Sequence, residues 1–547
     1  MALVASSTAP GVGARRGRRR AWTGAAPGLI YLALLAAHAP LLRLPYYWDE
    51  AGYFVPAALD LLRHGWWIPH STLANGHPPL VMAALALAWR VAGFAPLVTR
   101  ATMLIFAAAL VWGTAQLARA LYPNAAGAGA AAGVLVAVVP LVFAQATLAQ
   151  LDLAAAAWIV WALAARARRR PWAYVACSAG AVLTKETALL VPATLAILDL
   201  YRELTRTRPD AGVPAAAGAA PRFLAGDGAP RLRRLARAAA PHLPAAAALA
   251  AWLAYYHAAT GYWMGNAQFL GFNLESTLSL PRFLIALYLH SWQLAGYGGM
   301  FALTILALWA WRRGRRTAAD DKQANGGAAV PPARELRREA AALIAAYLVF
   351  HALVGGAVLA RYLLPALALY VALLAPWLAR LPRPRLAIAA CAAVLVAGWF
   401  VNPPYPFPYE DNLAYATFIR LHRQAAAFLE RNATGEPVIT AWPATAELSN
   451  PDLGYVRHPL AVAPVANFTA AGWAGVEPRP GETVYLYSRE YAPRENLLRW
   501  FPFWRRWSGR YFHHRSPLPP AAWLARWHLR VEFRAAARGQ WIMIARR

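Results

Sequence analysis

Cysteine, lysine and acidic side chains are all scarce in this chain, and each scarcity excludes something. Cys177 and Cys391 are the only cysteines among 547 residues. Both lie in apolar segments, so neither a disulfide framework nor a cysteine-based zinc pattern is available. Lys185 and Lys322 are the only lysines, and arginine carries almost all of the basic charge. Aspartate and glutamate total 25 against 54 lysines and arginines, which leaves a net charge of +29. Between Met1 and Leu198 the only acids are Asp49, Glu50, Asp60, Asp152 and Glu186. No GxGxxG loop, P-loop, zinc spacing or GxSxG elbow occurs in a fitting context, so those chemistries have no signature here.

What the chain has in quantity is apolar surface. It is 59% hydrophobic, with a mean hydropathy of +0.35. Many uncharged runs approach the roughly 20 residues that a membrane-crossing helix needs. The fold class is therefore a polytopic α-helical membrane protein. The arginines cluster between apolar runs, so the basic excess reads as the positive-inside rule, with no nucleic-acid partner. The arginine run 15–20 precedes an apolar stretch, 25–42, longer than the ~7–15 residues of a signal-peptide core. It is expected to stay as an anchor, with a cytoplasmic N-terminus.

Three regions follow. Residues 1–24 are a basic cytoplasmic tail. Residues 25–401 are a transmembrane domain with an aromatic periplasmic loop at 44–78. Residues 402–547, where long apolar runs stop, are expected to form an extracytoplasmic α/β domain with strands near 437–440 and 483–487. Spans are expected near 98–118, 126–145, 152–166, 172–184, 187–201, 240–258, 296–311, 340–358, 362–380 and 386–401. Together with the first helix they make eleven crossings, provided 79–94 does not cross fully. Four basic clusters then share the cytoplasmic side, and 205–232 and 314–333 read as flexible cytoplasmic linkers.

On that topology Asp49, His77, Asp152, the loop 261–281 and Arg361 face one compartment. Asp49 and Glu50 sit in Tyr46-Tyr47-Trp48-Asp49-Glu50-Ala51-Gly52-Tyr53, just past the first apolar run. Adjacent carboxylates at membrane depth are costly without partners and mark a functional candidate. Asp49 is the candidate base; the competing reading is a cap for the helix that follows. Glu50 either orients Asp49, binds an acceptor, is simply solvated, or pairs with an arginine. Asp152 either binds substrate or metal, or caps the helix 153–166. Arg361 can grip a phosphate with paired bonds or simply snorkel. His77 can bind phosphate or metal, or pack. Lys185, kept in a chain that has nearly abandoned lysine, either serves the site or pairs locally with Glu186. The aromatics of Tyr262 to Asn266, in a loop that runs on to Glu275, line a pocket or anchor in the interface.

These residues, in order, carry a resemblance. Asp49-Glu50 with Tyr53, Gly65-Trp66, His77-Pro78-Pro79-Leu80, Arg100, Leu151-Asp152, Thr184-Lys185 and Arg361-Tyr362-Leu363-Leu364-Pro365 resemble the GT-C superfamily of membrane glycosyltransferases. The branch is that of protein O-mannosyltransferases and aminoarabinose transferases, over about residues 25–400. The resemblance implies a hexosyl- or pentosyltransferase of the bacterial inner membrane. Its donor would be a polyprenyl-phosphate sugar and its acceptor an extracytoplasmic protein, lipid or envelope glycan. It also implies Asp49 as base, acting with Glu50 and Asp152. Tyr53, His77, Lys185, Arg361 and Tyr362 would bind substrate. The Asp-Glu pair is not a DxD motif, so no cofactor is required by the sequence and dependence on a divalent metal ion stays open. The alternatives are a transporter or flippase of lipid-linked sugars, against which stands the lack of an internal repeat, and a non-catalytic scaffold.

Overall fold

The computed structural model describes residues 12–547 except 75, 206–227, 266–278, 322–330, 433–434, 492, 494–495 and 513–517. Most of the loop 261–281, with Asn266 and Glu275, and much of both expected linkers lie outside the described residues.

The helical part has two chemically distinct ends. Helix Leu151–Ala167 shows this most simply. Asp152 lies in its first turn and Arg166 in its last, and the helical rise of about 1.5 Å per residue separates the two by ~21 Å. Helix Pro171–Thr184 runs back and delivers Lys185 to Asp152. Helix Leu190–Thr205 leaves from Glu186 and carries Asp199 and Arg202 to the far end. There Arg166 donates to Asp199 at 2.6 and 3.0 Å and to Glu339 at 2.8 and 3.0 Å. Arg202 bridges Asp199 and Glu339, and His242 approaches Asp199 at 3.1 Å. Arg337 and Arg380 close over the Tyr122 ring at the same end. The basic clusters thus gather at one end, as the expected topology requires, and the singled-out acids gather at the other.

Two helices keep both ends on the acidic side. Leu80–Ala92 follows His77, and Trp89 near its close donates to Thr99, next to Arg100. Both ends of this helix therefore lie beside the acidic cluster. Leu280–Ala295 was not foreseen as a separate helix. Its Arg282 donates to the carbonyls of Ala352 (3.3 Å) and Gly355, and its Gln293 to that of Val358 at 2.9 Å. The chain then turns at Gly298 and Gly299, both at positive φ, into helix Met300–Asp321.

Among the described residues, three stretches are long and apolar enough to cross a membrane by themselves: Pro96–Leu121, Leu280–Gly314 and Ala360–Leu378. Other apolar helices are shorter, including Ala128–Val138, after which Val139 and Pro140 break the expected run 126–145. Length and composition therefore do not establish eleven crossings. Helix pairs approach closely where small residues meet. A Cβ on Gly113 would lie 2.6 Å from Val160, across the contact between Pro96–Leu121 and Leu151–Ala167. Membrane helices use small residues for such packing.

The C-terminal region forms a five-stranded sheet in the order β2-β1-β3-β5-β4, with β1 Val438–Ala441, β2 Val462–Val465, β3 Thr483–Tyr487, β4 Arg530–Ala537 and β5 Gln540–Arg546. β1 pairs in parallel with β2 and β3, whereas β5 runs antiparallel to β3 and β4. Both expected strands are present. The sheet and helix Ala414–Arg431 share one hydrophobic core with Tyr46, Tyr47, Leu59, Leu85 and Phe143. The boundary at 401 is thus a change of composition; packing continues across it.

Candidate functional site

Asp49 stands at an irregular turn. Trp48 before it takes a positive φ of 49°, and residues Glu50–Phe54 form a turn of π-helix. A left-handed tryptophan persists only where its surroundings hold it. Trp48 is wedged against Trp442 and Phe418 at ring-centroid distances of 4.8 and 6.0 Å, with the Arg489 guanidinium 5.5 Å away. The C-terminal region therefore holds the turn that presents Asp49. Asp49 makes no cap hydrogen bond, so the capping alternative fails. Its carboxylate accepts from Arg361 Nη2 instead.

Arg361 is the hub. It lies in the 3₁₀ turn Ala360–Leu363 that opens helix Leu364–Leu378. Besides Asp49, its Nη1 donates to Gln150 Oε1 at 2.7 Å and to Glu410 Oε2 at 3.0 Å. Its Nε lies 3.7 Å from Asp152 Oδ2, too far for a hydrogen bond, and has no hydrogen-bond partner. Asp152 also pairs with Lys185 Nζ, and its helix shows no side-chain cap, which removes the capping alternative here too. Lys185 sits 4.5 Å over the Tyr362 ring. His77 Nδ1 lies 2.8 Å from Glu186 Oε2. The loop before it is fixed by Gly76, whose φ is +76° and whose added Cβ would come within 2.5 Å of the Gly265 backbone.

Asp49, Tyr53, His77, Asp152, Lys185, Arg361 and Tyr362 all line one cavity of about 720 Å³. Its other wall is apolar, formed by Leu189, Leu190, Ala193, Leu249, Leu253, Phe350 and Val354. Seven of the eight residues singled out from the sequence thus converge from distant positions.

Glu50 does not join them. It is fully buried on the other side of the turn, paired with Arg100 through both oxygens; Oε1 also accepts from Ala149 N (2.8 Å) and Oε2 from Tyr47 N (2.7 Å). Arg100 further donates to the carbonyls of Thr147 and Pro45. Of the readings open to Glu50, the arginine pair is the one the geometry supports. An adjacent residue on a helical turn points about 100° away, which is why two neighbouring carboxylates part company.

Glu410 and Gln150 were missed. Glu410 is 4% exposed and bridges Gln150 and Arg361 from the short turn Tyr409–Asp411, just before the C-terminal helix. A signal existed: Tyr409-Glu410-Asp411 repeats the aromatic-acid-acid pattern of Trp48-Asp49-Glu50. Burial pushes the Glu410 carboxyl up from its ordinary value, against the pull of Arg361. Burial, helped by the neighbouring Glu410 charge, pushes Asp411 up to about 8. Asp411 Oδ2 accepts from Tyr297, and its Oδ1 has no partner. Among the described residues no group of three His, Cys, Asp or Glu is arranged to hold a metal ion.

Chemically, the arrangement offers a carboxylate at a cavity wall, two cations able to exchange a carboxylate for another anion, and an apolar wall beside them. No protein-family model and no curated protein sequence matches the chain. Solved structures do. ArnT from Cupriavidus metallidurans bound to undecaprenyl phosphate aligns over 96% of this chain and 98% of its own, at 14% identity and a TM-score of 0.51. The apo state of the same protein aligns at 15% identity and a TM-score of 0.49, over 96% and 98% of the two chains. The Archaeoglobus fulgidus oligosaccharyltransferase tethered with an acceptor peptide aligns over 81% of this chain and 64% of its own, at 11% identity and a TM-score of 0.40. Through the first of these likenesses, the chain shares its fold with ArnT over nearly the whole length of both chains.

Proposed function

We propose that this protein is a membrane glycosyltransferase that moves a sugar from a polyprenyl-phosphate donor to an extracytoplasmic acceptor. The observation that carries the reading is Arg361. One buried guanidinium gathers Asp49, Asp152 and Glu410 from three distant segments, beside a cavity with an apolar wall. A lipid-borne phosphate suits both halves: its anion meets the cations and its chain meets the apolar wall. The ArnT structure, solved with undecaprenyl phosphate, has the same fold and supports this choice of donor.

In the present state Arg361 masks Asp49. A donor phosphate competes for Arg361 Nη2 while Gln150 and Glu410 retain Nη1, so Asp49 is released as the phosphate is bound. Asp49 then takes the proton of an acceptor hydroxyl. The acceptor oxygen bonds to the anomeric carbon, and the carbon–oxygen bond to phosphate breaks with its electron pair. Arg361 and Lys185 stabilise the charge that develops on the polyprenyl phosphate. Inversion at the anomeric carbon is expected from the resemblance. The acidic end faces the extracytoplasmic side of the bacterial inner membrane, eleven helices cross, and the N-terminus is cytoplasmic; the segregated arginines support this orientation.

The test is transfer of radiolabelled sugar from a polyprenyl-phosphate donor in vesicles containing the purified chain. Covalent product that disappears with Asp49→Asn is expected. Movement of the labelled lipid across the bilayer with no covalent product would instead establish the transporter reading.

A further inference from the structure

The C-terminal region carries an exposed aromatic helix that the chemistry above does not use. Helix Pro502–Tyr511 sets the rings of Phe503 and Trp507 4.8 Å apart, one turn apart in the chain, yet the two are 46% and 40% exposed. Trp500, just before it, is 81% exposed. Arg506 and Arg510 are exposed on successive turns of the same helix. No aspartate or glutamate occurs from 496 to 531, so this stretch is uniformly basic. Exposed tryptophan and phenylalanine beside arginine is the composition of a helix lying in a membrane interface.

Its position agrees. Phe512, directly after the helix, covers the Arg282 guanidinium at 5.3 Å. Arg282 in turn is bonded to the 352–355 segment, from which Val354 and Gly355 line the cavity. The neighbouring helix Leu280–Ala295 turns Leu280, Leu284 and Tyr288 outward at intervals of one turn. The aromatic helix thus continues an outward apolar stripe at the cavity's edge, and adds cations to it.

We infer that helix Pro502–Tyr511 docks on the surface of the same bilayer, with its aromatics in the interface and its arginines on anionic lipid headgroups. It thereby seats the C-terminal region against the membrane surface beside the cavity's edge. The occupant is the anionic bilayer surface, because the stretch offers positive charge and interfacial aromatics together and no carboxylate. This inference requires only that the chain lies in a membrane; it does not depend on glycosyl transfer.

Hydrogen–deuterium exchange of the full chain in nanodiscs tests it, read on the backbone of 500–511. Exchange is expected to be slower in phosphatidylglycerol discs than in phosphatidylcholine discs. Replacing Arg506 and Arg510 by Gln is expected to weaken protection about fivefold per arginine in the anionic discs. Phe503→Ser with Trp507→Ser is expected to remove protection in both. The arginine variant sits on the surface and keeps the test valid should the aromatic variant fold poorly. Equal exchange in both lipids, with no effect of the arginine variant, would overturn the inference. So would protection that follows protein concentration in place of lipid charge, since that outcome assigns the face to a protein partner.

Discussion

Asp49 and Glu50 are neighbours with opposite fates, and the difference predicts opposite phenotypes. Asp49 lines a cavity and shares Arg361 with two further carboxylates. Asp49→Asn should therefore leave thermal stability nearly unchanged while lowering sugar transfer ~10²–10⁴-fold, the usual range for a lost general base. Glu50 is the buried partner of Arg100. Glu50→Ala would leave an unpaired guanidinium in the interior and should cost about 3–5 kcal/mol, read as a large fall in melting temperature or loss of folded protein in detergent. If the two variants exchanged these behaviours, the roles assigned here would be wrong. Asp411 supplies a pH signature. Its native carboxyl is pushed up to about 8 by burial, whereas an unfolded aspartate titrates near 3.9. The native state then binds the extra proton between these values. Its contribution to stability is full below about pH 4 and is lost as pH rises towards 8, by up to ~1.4 kcal/mol per unit. Asp411→Asn should flatten that slope in denaturation curves taken across the range.

At the scale of elements, the site depends on where helices start and stop. Asp152 and Arg361 both stand in the first turn of their elements, and Lys185 at the end of one, so three ordinary helix termini deliver three functional groups to one level. That level is held by close helix packing further along. Gly113→Leu should drive a side chain into Val160 and Trp161. A cost of about 1–3 kcal/mol is expected for such overpacking, together with reduced transfer, because the displaced helix carries Asp152. A thermal-shift assay alongside turnover would register both. A destabilised variant with native turnover would mean that the contact does not hold the site. The turn Tyr409–Asp411 is the element least visible beforehand. It contributes Glu410 to Arg361 from beyond the expected transmembrane domain, and its local sequence has no helical or strand period to draw attention.

For the whole molecule, the shared core is decisive. Tyr47 and Trp48 pack on Tyr415, Phe418 and Trp442. Truncation after Val401 would thus remove Glu410, uncover these aromatics and release the left-handed Trp48. The truncated chain is expected to be inactive and prone to aggregate, even in detergents that keep the full chain monodisperse. Recovery of a stable, active fragment by size-exclusion chromatography and a transfer assay would contradict the shared core.

The sequence by itself determined that the chain is an apolar, arginine-rich helical membrane protein, because composition and charge segregation are local properties that survive without coordinates. Scarcity also exposed most of the site. Where acids are rare, each retained carboxylate near an apolar run stands out, and Asp49 and Asp152 were found that way; the scarcity of lysine did the same for Lys185, while Arg361 was found from its place just outside a helix and from the resemblance. Only the tertiary structure decided which carboxylates meet which cations. The direction of a side chain from a turn, which separates Asp49 from Glu50, is set by backbone angles that spacing does not encode. The contribution of Glu410, and the joining of the C-terminal sheet to Tyr47 and Trp48, arise from packing between segments hundreds of residues apart in the chain. No local pattern reports such contacts, because their free energy appears only when both surfaces are present.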